Sequence, residues 1–188
     1  MNLTNMSAFS PAKVVPVQQG AAAEEIAFSI GESALGAVLV ARSTDGVCAI
    51  LIGSVAAELE SDLATRFTDS KLVRNDRKLS DDLGKILRFI ETPSDGLNLR
   101  LDIRGTPFQQ RVWEALLRIP PGSIVTYGAL ANRIGKPGAV RAVANACAAN
   151  AIALAIPCHR VVRSNGTLSG YRWGVERKRA LIAREAQA

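Results

Sequence analysis

The sequence predicts an α/β protein in two parts, a small α/β unit followed by a mostly helical unit that contains a helix-turn-helix. Three observations predict it. Apolar runs with β character crowd the region from Ile26 to Ser54, separated by Gly-containing turns. Helix caps and Gly/Pro stops recur between Thr106 and Ala149. Charge divides at the same place: residues 1–104 hold 11 Lys/Arg and 14 Asp/Glu, and residues 105–188 hold 12 Lys/Arg and 3 Asp/Glu.

Composition excludes several classes. The 188 residues suffice for one large domain or two small ones. An apolar share of 48% with 21% charged residues belongs to a globular chain rather than a disordered one. No apolar run approaches the ~18 residues of a membrane span, and the first residues lack the basic start and apolar stretch of a signal peptide. Three scattered cysteines, Cys48, Cys147 and Cys158, form no disulfide framework and read as reduced thiols of a cytoplasmic protein. With a single histidine, the chain offers no metal site. The basic second half points to a polyanionic partner, with a solubilising surface as the plainer reading.

In chain order, residues 1–22 are polar, carry Pro11 and Pro16, and read as a flexible leader. Strands are expected in AFSIGE, ALGAVLVARS and VCAILIGS, with turns at Gly31-Glu32-Ser33 and Thr44-Asp45-Gly46. Ser54 is placed to cap a helix to about Phe67, with Leu59, Leu63 and Phe67 on one face. A second helix fits Ser80 to about Ile90, and LNLRLDIRG alternates as a half-buried strand does. A boundary near Gly105 separates residues 23–104 from 105–188. Thr106, Pro107 and Gln109 supply the N-cap, N1 and N3 residues of a capping box. Pro120-Pro121-Gly122 stops that helix. Thr126 then caps a short helix from Tyr127 to Ile134, Gly135 breaks it, and another helix runs to about Ala149. Helix, tight turn and helix make a helix-turn-helix.

An inward stripe of Val140, Val143, Ala144, Cys147 and Ala148 leaves Ala139, Arg141, Ala142, Asn145, Ala146 and Ala149 outside. That outer face is mostly methyl groups. It can approach DNA closely but has little with which to read base edges, so binding would depend on backbone and shape. An ordinary packed helix pair fits the same pattern.

The apolar segment Ala151–Ile156 ends in Pro157-Cys158-His159-Arg160. Two basic neighbours would favour the Cys158 thiolate, the nucleophilic form, whereas Cys48 and Cys147 lie in apolar patterns and read as inert core thiols. Adjacent side chains of an extended segment diverge, so Cys158 and His159 would need a turn or a bridging water to cooperate. A base also needs an orienting partner. The second half holds only Glu114, Glu176 and Glu185, of which Glu185, near the C-terminus, is the candidate. Asn165-Gly166 signals a turn and a hairpin after the cysteine. Ser169–Gly174 is a loop whose Tyr171 and Trp173 could wall a flat pocket, and Arg177, Lys178, Arg179 and Arg184 extend the basic surface.

The motif IPCHRV at 156–161, with GTPFQQRVWEAL at 105–116, TYGALANRIGKPGAVRAVANACAAN at 126–150 and RVVRSNGTLSGYRWG at 160–174, resembles the O6-alkylguanine-DNA alkyltransferases, in particular their adaptive-response branch. The resemblance implies a ribonuclease-H-like α/β N-terminal domain, then a helical DNA-binding domain. It implies a monomer that binds double-stranded DNA through the minor groove without sequence preference and flips out an alkylated base. The alkyl group of O6-alkylguanine, or of O4-alkylthymine, would pass irreversibly to a cysteine, one per molecule, with no cofactor. By the same resemblance Cys158 is the acceptor, His159 its water-mediated base and Glu185 the partner of that base. Asn150 orders the turn before the site, Tyr127 sits near the flipped nucleotide, and Arg141 fills the gap the base leaves. Val161, Tyr171 and the backbone of Arg172 form the guanine pocket. The zinc-binding and regulatory domains of the adaptive-response branch have no counterpart here, which puts a transcription-activating role in doubt and leaves a stand-alone repair domain or a fragment. Two other classes stay open: a lesion-recognition module without transfer, and a Cys–His hydrolase with turnover.

Overall fold

The computed structural model describes residues 23–168 and 170–187. The leader expected over residues 1–22 lies outside the described residues, as does Ser169.

Strands β1 (Glu25–Ser33), β2 (Gly36–Arg42) and β3 (Val47–Gly53) form an antiparallel meander, and β4 (Lys71–Arg74) adds parallel to β1. The sheet order is β3-β2-β1-β4. The first turn falls at Ala34-Leu35, because Gly31–Ser33 continue the ladder with Ser33 opposite Gly36. Strand β4 carries only half-buried Leu72 and Val73 and gave no apolar run to find in the sequence. Val38 to Ala41 of β2 are all fully buried, so both faces of the sheet are covered.

Helix α1 (Ala56–Arg66) crosses from β3 to β4 and buries Leu59 and Leu63. Its cap is Val55, with no side-chain hydrogen bond. Ser54 does not cap it, because its hydroxyl accepts from Arg177 at 2.9 Å. Helix α2 (Asp76–Glu91) starts earlier than Ser80, since Asn75 accepts from the Lys78 amide and makes the cap. Its Leu83 and Leu87 close over Gly31 of β1. Residues 97–101 alternate in burial, but the segment 97–104 makes no strand. It touches β3 through one bridge, Val47 to Leu101, with bonds of 2.8 and 2.9 Å.

The second unit begins at α3 (Pro107–Leu117), whose Thr106/Gln109 capping box is complete. After the two-residue strand β5 (Val125–Thr126) comes α4 (Tyr127–Arg133), capped by Thr126, and then α5 (Val140–Ala148). Between the two helices, Lys136 N bonds Ala131 O and Gly135 N bonds Asn132 O, a Schellman closure of the turn. The inward face of α5 differs from the expected stripe: Val143, Ala146 and Cys147 are buried, while Val140 is 39% exposed and Ala148 is exposed. Trp113 of α3 sets this rotation by donating its indole N–H to Ala146 O at 2.8 Å. Strand β6 (Val161–Val162) pairs parallel with β5, and α6 (Val175–Glu185) closes the chain. The Asn165-Gly166 turn forms, with Arg163 N on Thr167 O, but no strand returns from it. The four basic residues of α6 do not form the expected surface. Lys178 is fully buried and Arg177 and Arg184 bond backbone carbonyls, leaving Arg179 exposed. No helix among the described residues is long and apolar enough to cross a membrane.

Candidate active site

Two short pairings bring the site together. The outer edge of β3 takes the segment before the cysteine, with Ile50 N on Ala151 O at 2.9 Å and Ala153 N on Ile50 O at 3.0 Å. The β5–β6 pair ties the residue before Tyr127 to the segment after His159-Arg160, through Thr126 opposite Val162. A free sheet edge and a two-residue ladder thus fix the cysteine segment from both sides.

Asn150, fully buried at the end of α5, pins the turn. Its side chain accepts from Ile152 N at 2.9 Å and donates to Ile152 O at 3.3 Å, Ile156 O at 2.9 Å and Cys158 Sγ at 3.3 Å. Within that turn Leu154 has φ +68°, a conformation that a branched side chain resists. The many bonds from one amide hold the strained turn in place.

Cys158, His159 and Arg160 form a single 3-10 turn, the local bend that an extended segment would not have supplied. The His159 ring is fully buried, with Nε2 2.8 Å from Glu185 Oε1. Arg160 donates to both Glu185 oxygens at 2.8 Å and to Ile119 O, and the Gly122 amide approaches Oε2 at 3.4 Å. Burial alone would raise the Glu185 carboxyl, but the hydrogen bonds from His159 and Arg160 outweigh it and hold it at about 2. An ionised Glu185 accepts, so His159 Nε2 carries the proton and Nδ1 carries the lone pair. That Nδ1 is buried, with no hydrogen-bond partner among the described residues. Burial keeps the imidazole below its usual range, against the pull of Glu185, so it is neutral at pH 7 and able to accept a proton.

The thiol itself departs from the sequence expectation. Burial pushes Cys158 up to about 11, and the Asn150 hydrogen bond and the Lys178 charge only partly oppose this. Arg160 gives its charge to Glu185 rather than to sulfur. At rest Cys158 is therefore a neutral thiol, 4% exposed, that needs a base when it reacts. Cys48 and Cys147 are buried and free, and burial raises both, Cys48 to about 12.

Sequence reasoning missed Lys178, which it assigned to the basic surface. The side chain is fully buried, its Nζ donates to Val161 O, and it stands 6.0 Å from the Tyr127 ring centroid. It is the cation that lowers Cys158. Its position in the turn before Leu181 carried no sequence signal separating it from its exposed neighbour Arg179.

Tyr127 opens α4, half-buried, and burial beside Cys147 and Cys158 raises it to about 12. Tyr171 and Trp173 are buried edge to face, 5.1 Å apart. The Tyr171 hydroxyl and the Trp173 indole N–H have no partner among the described residues. Val161 is buried, and Arg172 points outward to Asp62 at 2.7 Å. On the helix-turn-helix, Arg141, Ala142 and Asn145 are exposed together on α5, and Ala139 is half-buried at its cap.

A family profile described as 6-O-methylguanine DNA methyltransferase, DNA binding domain, matches residues 107–187. An inducible methylated-DNA–protein-cysteine methyltransferase of Bacillus subtilis is 42% identical over 123 residues, covering 65% of this chain and 69% of that protein. The chain belongs to the O6-methylguanine-DNA methyltransferase family. The bifunctional transcriptional activator/DNA repair enzyme Ada of Escherichia coli is 50% identical over 162 residues, which is 86% of this chain. The chain spans about half the length of such curated relatives, 46% in the case of Ada. A Mycobacterium tuberculosis structure described as OGT in complex with DNA superposes with a TM-score of 0.68 at 32% identity, covering 87% of this chain and 93% of that one. The fold is that of the family: an α/β unit with the ribonuclease-H-like strand order, then helices with a helix-turn-helix.

Proposed function

We propose that this chain repairs DNA by direct reversal, taking the alkyl group from O6 of alkylguanine, or O4 of alkylthymine, onto Cys158. The observation that carries the reading is the buried Cys158 thiol, held by Asn150 in one turn with a neutral, Glu185-oriented His159. The family membership and the DNA complex of a relative support it.

In this reading residues 23–104 form the N-terminal domain and residues 105–188 the DNA-binding and transfer domain. The protein acts as a cytoplasmic monomer, associated with the nucleoid when on DNA. The exposed face of α5 enters the minor groove. Its small Ala139 and Ala142 let the backbone approach, Asn145 meets the strand, and no long side chains read sequence. The lesion base flips out at a cost of a few kcal/mol, which Arg141 offsets by filling the gap in the stack. Val161, the backbone of Arg172 and the unpartnered Tyr171 hydroxyl receive the base, and Tyr127 lies beside it.

The transfer is a displacement at carbon. The Sγ–C bond forms as the C–O6 bond breaks. The Sγ proton passes to His159 Nδ1 through a bridging water, and Glu185 steadies the resulting imidazolium. The guanine gains a proton through the Tyr127 hydroxyl, which recovers one from the His159 imidazolium by way of solvent, so the proton lost by sulfur ends on the released base. A soft thiolate suits attack on an alkyl carbon, and the thioether product does not hydrolyse, so each molecule acts once. The cysteine is itself the acceptor, and the reaction needs no cofactor.

The test is Cys158→Ala with duplex DNA carrying a radiolabelled O6-methylguanine. The expected result is full loss of label transfer with binding to the duplex retained. Retained transfer would move the acceptor to another residue.

A further inference from the structure

The segment Gly170–Gly174 approaches the site on one side and α1 on the other. Its flanking glycines sit at φ +55° and +98°, the left-handed region that glycine adopts freely. Inward, Tyr171 is buried and near enough to Cys158 for the two groups to interact electrostatically, and a Cβ on Gly170 would stand 3.9 Å from the Tyr127 hydroxyl. Outward, Arg172 Nη2 donates to Asp62 Oδ1 at 2.7 Å across 110 residues of chain, with the two side chains 39% and 27% exposed.

The two ends of the segment are tethered differently. The Trp173 carbonyl accepts from Arg177 Nη1 at 2.9 Å. The same guanidinium holds Leu35 O at 2.7 Å and Ser54 Oγ at 2.9 Å, so this end is fixed to the sheet. The Arg172 end rests on a shared carboxylate. Arg66, one turn along α1 from Asp62, has its Nε 3.3 Å from the same Oδ1. Its alignment is too poor for a hydrogen bond, and Nε and Nη2 are buried with none among the described residues. If Arg172 lets go, Asp62 is not stranded, because Arg66 has donors in place to take it. A carboxylate that touches two guanidiniums keeps one partner when the other leaves, which lowers the cost of opening such a latch.

We propose that Asp62 is a specificity-determining latch: by holding Arg172 it keeps the Tyr171 wall close to Cys158 and so limits the size of the alkyl group accepted. The inference rests on the alkyl-transfer reading. Release of Arg172, with Asp62 left to Arg66, frees Tyr171 and Arg172 to turn about Gly170 while Trp173 stays anchored, and widens the space over the thiol. Neither Asp62 nor Arg66 touches the reacting atoms.

The experiment measures second-order rate constants for alkylation of Cys158 by duplexes containing O6-methylguanine or O6-benzylguanine, using the full chain. In Asp62→Asn the benzyl-to-methyl ratio should rise about three- to five-fold, the scale of one partly exposed ion pair, with the methyl rate little changed. Arg66→Met removes the competitor and should lower the ratio below that of the unmodified chain. Asp62→Glu should bring it back toward the original value. Opposite shifts from two neighbouring substitutions are not what loss of stability produces. An unchanged ratio, or shifts of the same sign in Asp62→Asn and Arg66→Met, overturns the latch. An unmodified chain that alkylates with neither duplex overturns the transfer reading itself.

Discussion

Replacing Glu185 by Gln removes one charge from a buried cluster and keeps its shape. The carboxylate accepts from His159 Nε2 and from two nitrogens of Arg160, which is itself buried. A Gln amide has one acceptor oxygen, so its NH2 must face a guanidinium or imidazole donor. Two routes give the magnitude. The drop of the carboxyl from 4.5 to about 2 corresponds to about 3 kcal/mol of stability at neutral pH. Breaking a buried pair by removing one partner costs about 3–5 kcal/mol. The sign follows from the depressed folded-state value: this stability is full above the unfolded carboxyl range and is lost as pH falls through about 2. Denaturant unfolding of both proteins at pH 7 should therefore show a deficit of about 3 kcal/mol in Glu185→Gln. The gap should narrow steadily below about pH 4.5. Methyl transfer should fall at least about 100-fold, because His159 loses the anion that fixes its tautomer and steadies its charged form. A deficit under about 1 kcal/mol that does not change with pH, or an unaltered transfer rate, would refute the assignment of Glu185 to this network.

Three further outcomes are expected. The pH–rate profile of transfer should be flat at neutral pH and above and fall only on the acid side of the ordinary imidazole range, where the buried His159 protonates, since the base takes the thiol proton during the reaction. A unit-slope rise toward about 11 would mean that free Cys158 thiolate is the reactant. Asn150→Ala leaves the Ile152 amide without its buried partner and the Ile156 carbonyl with the Cys158 amide alone, beside a strained Leu154, and should lower stability by about 1–3 kcal/mol in denaturant titration. Arg141→Ala should slow repair in duplex DNA by about ten-fold or more while leaving reaction with free O6-benzylguanine base unchanged. Equal losses on both substrates would remove the intercalating role.

Local signals were legible in the sequence and tertiary ones were not. The capping box at Thr106 and the N-cap at Thr126 could be read because a cap and its partners lie within one turn. The three strands of the meander were equally plain, since β2 and β3 are unbroken apolar runs. The facing of α5 was misjudged because alanine satisfies either side of a helix, and only the distant Trp113 bond decides which alanine turns inward. Ser54 reads as a cap until Arg177, 123 residues away, claims its hydroxyl. The same limit applied to the site. Glu185 could be picked out because the second half offers only three acids, and the structure sets it on His159. The basic character around Cys158 gave the wrong direction for its thiol, because a sequence shows charges but not where each one is neutralised. Arg160 belongs to Glu185, and the cation near sulfur is Lys178, twenty residues further along the chain.

The central claim is that Cys158 receives the alkyl group, and mass spectrometry tests it most directly. The chain is incubated with duplex DNA carrying one O6-methylguanine, then measured intact and as peptides. One methyl in place of one hydrogen on the peptide containing Cys158, saturating at one per molecule while Cys48 and Cys147 stay unmodified, is the predicted result. An unmodified Cys158 in a protein that binds the lesion tightly would contradict it and leave a recognition module built on the same fold.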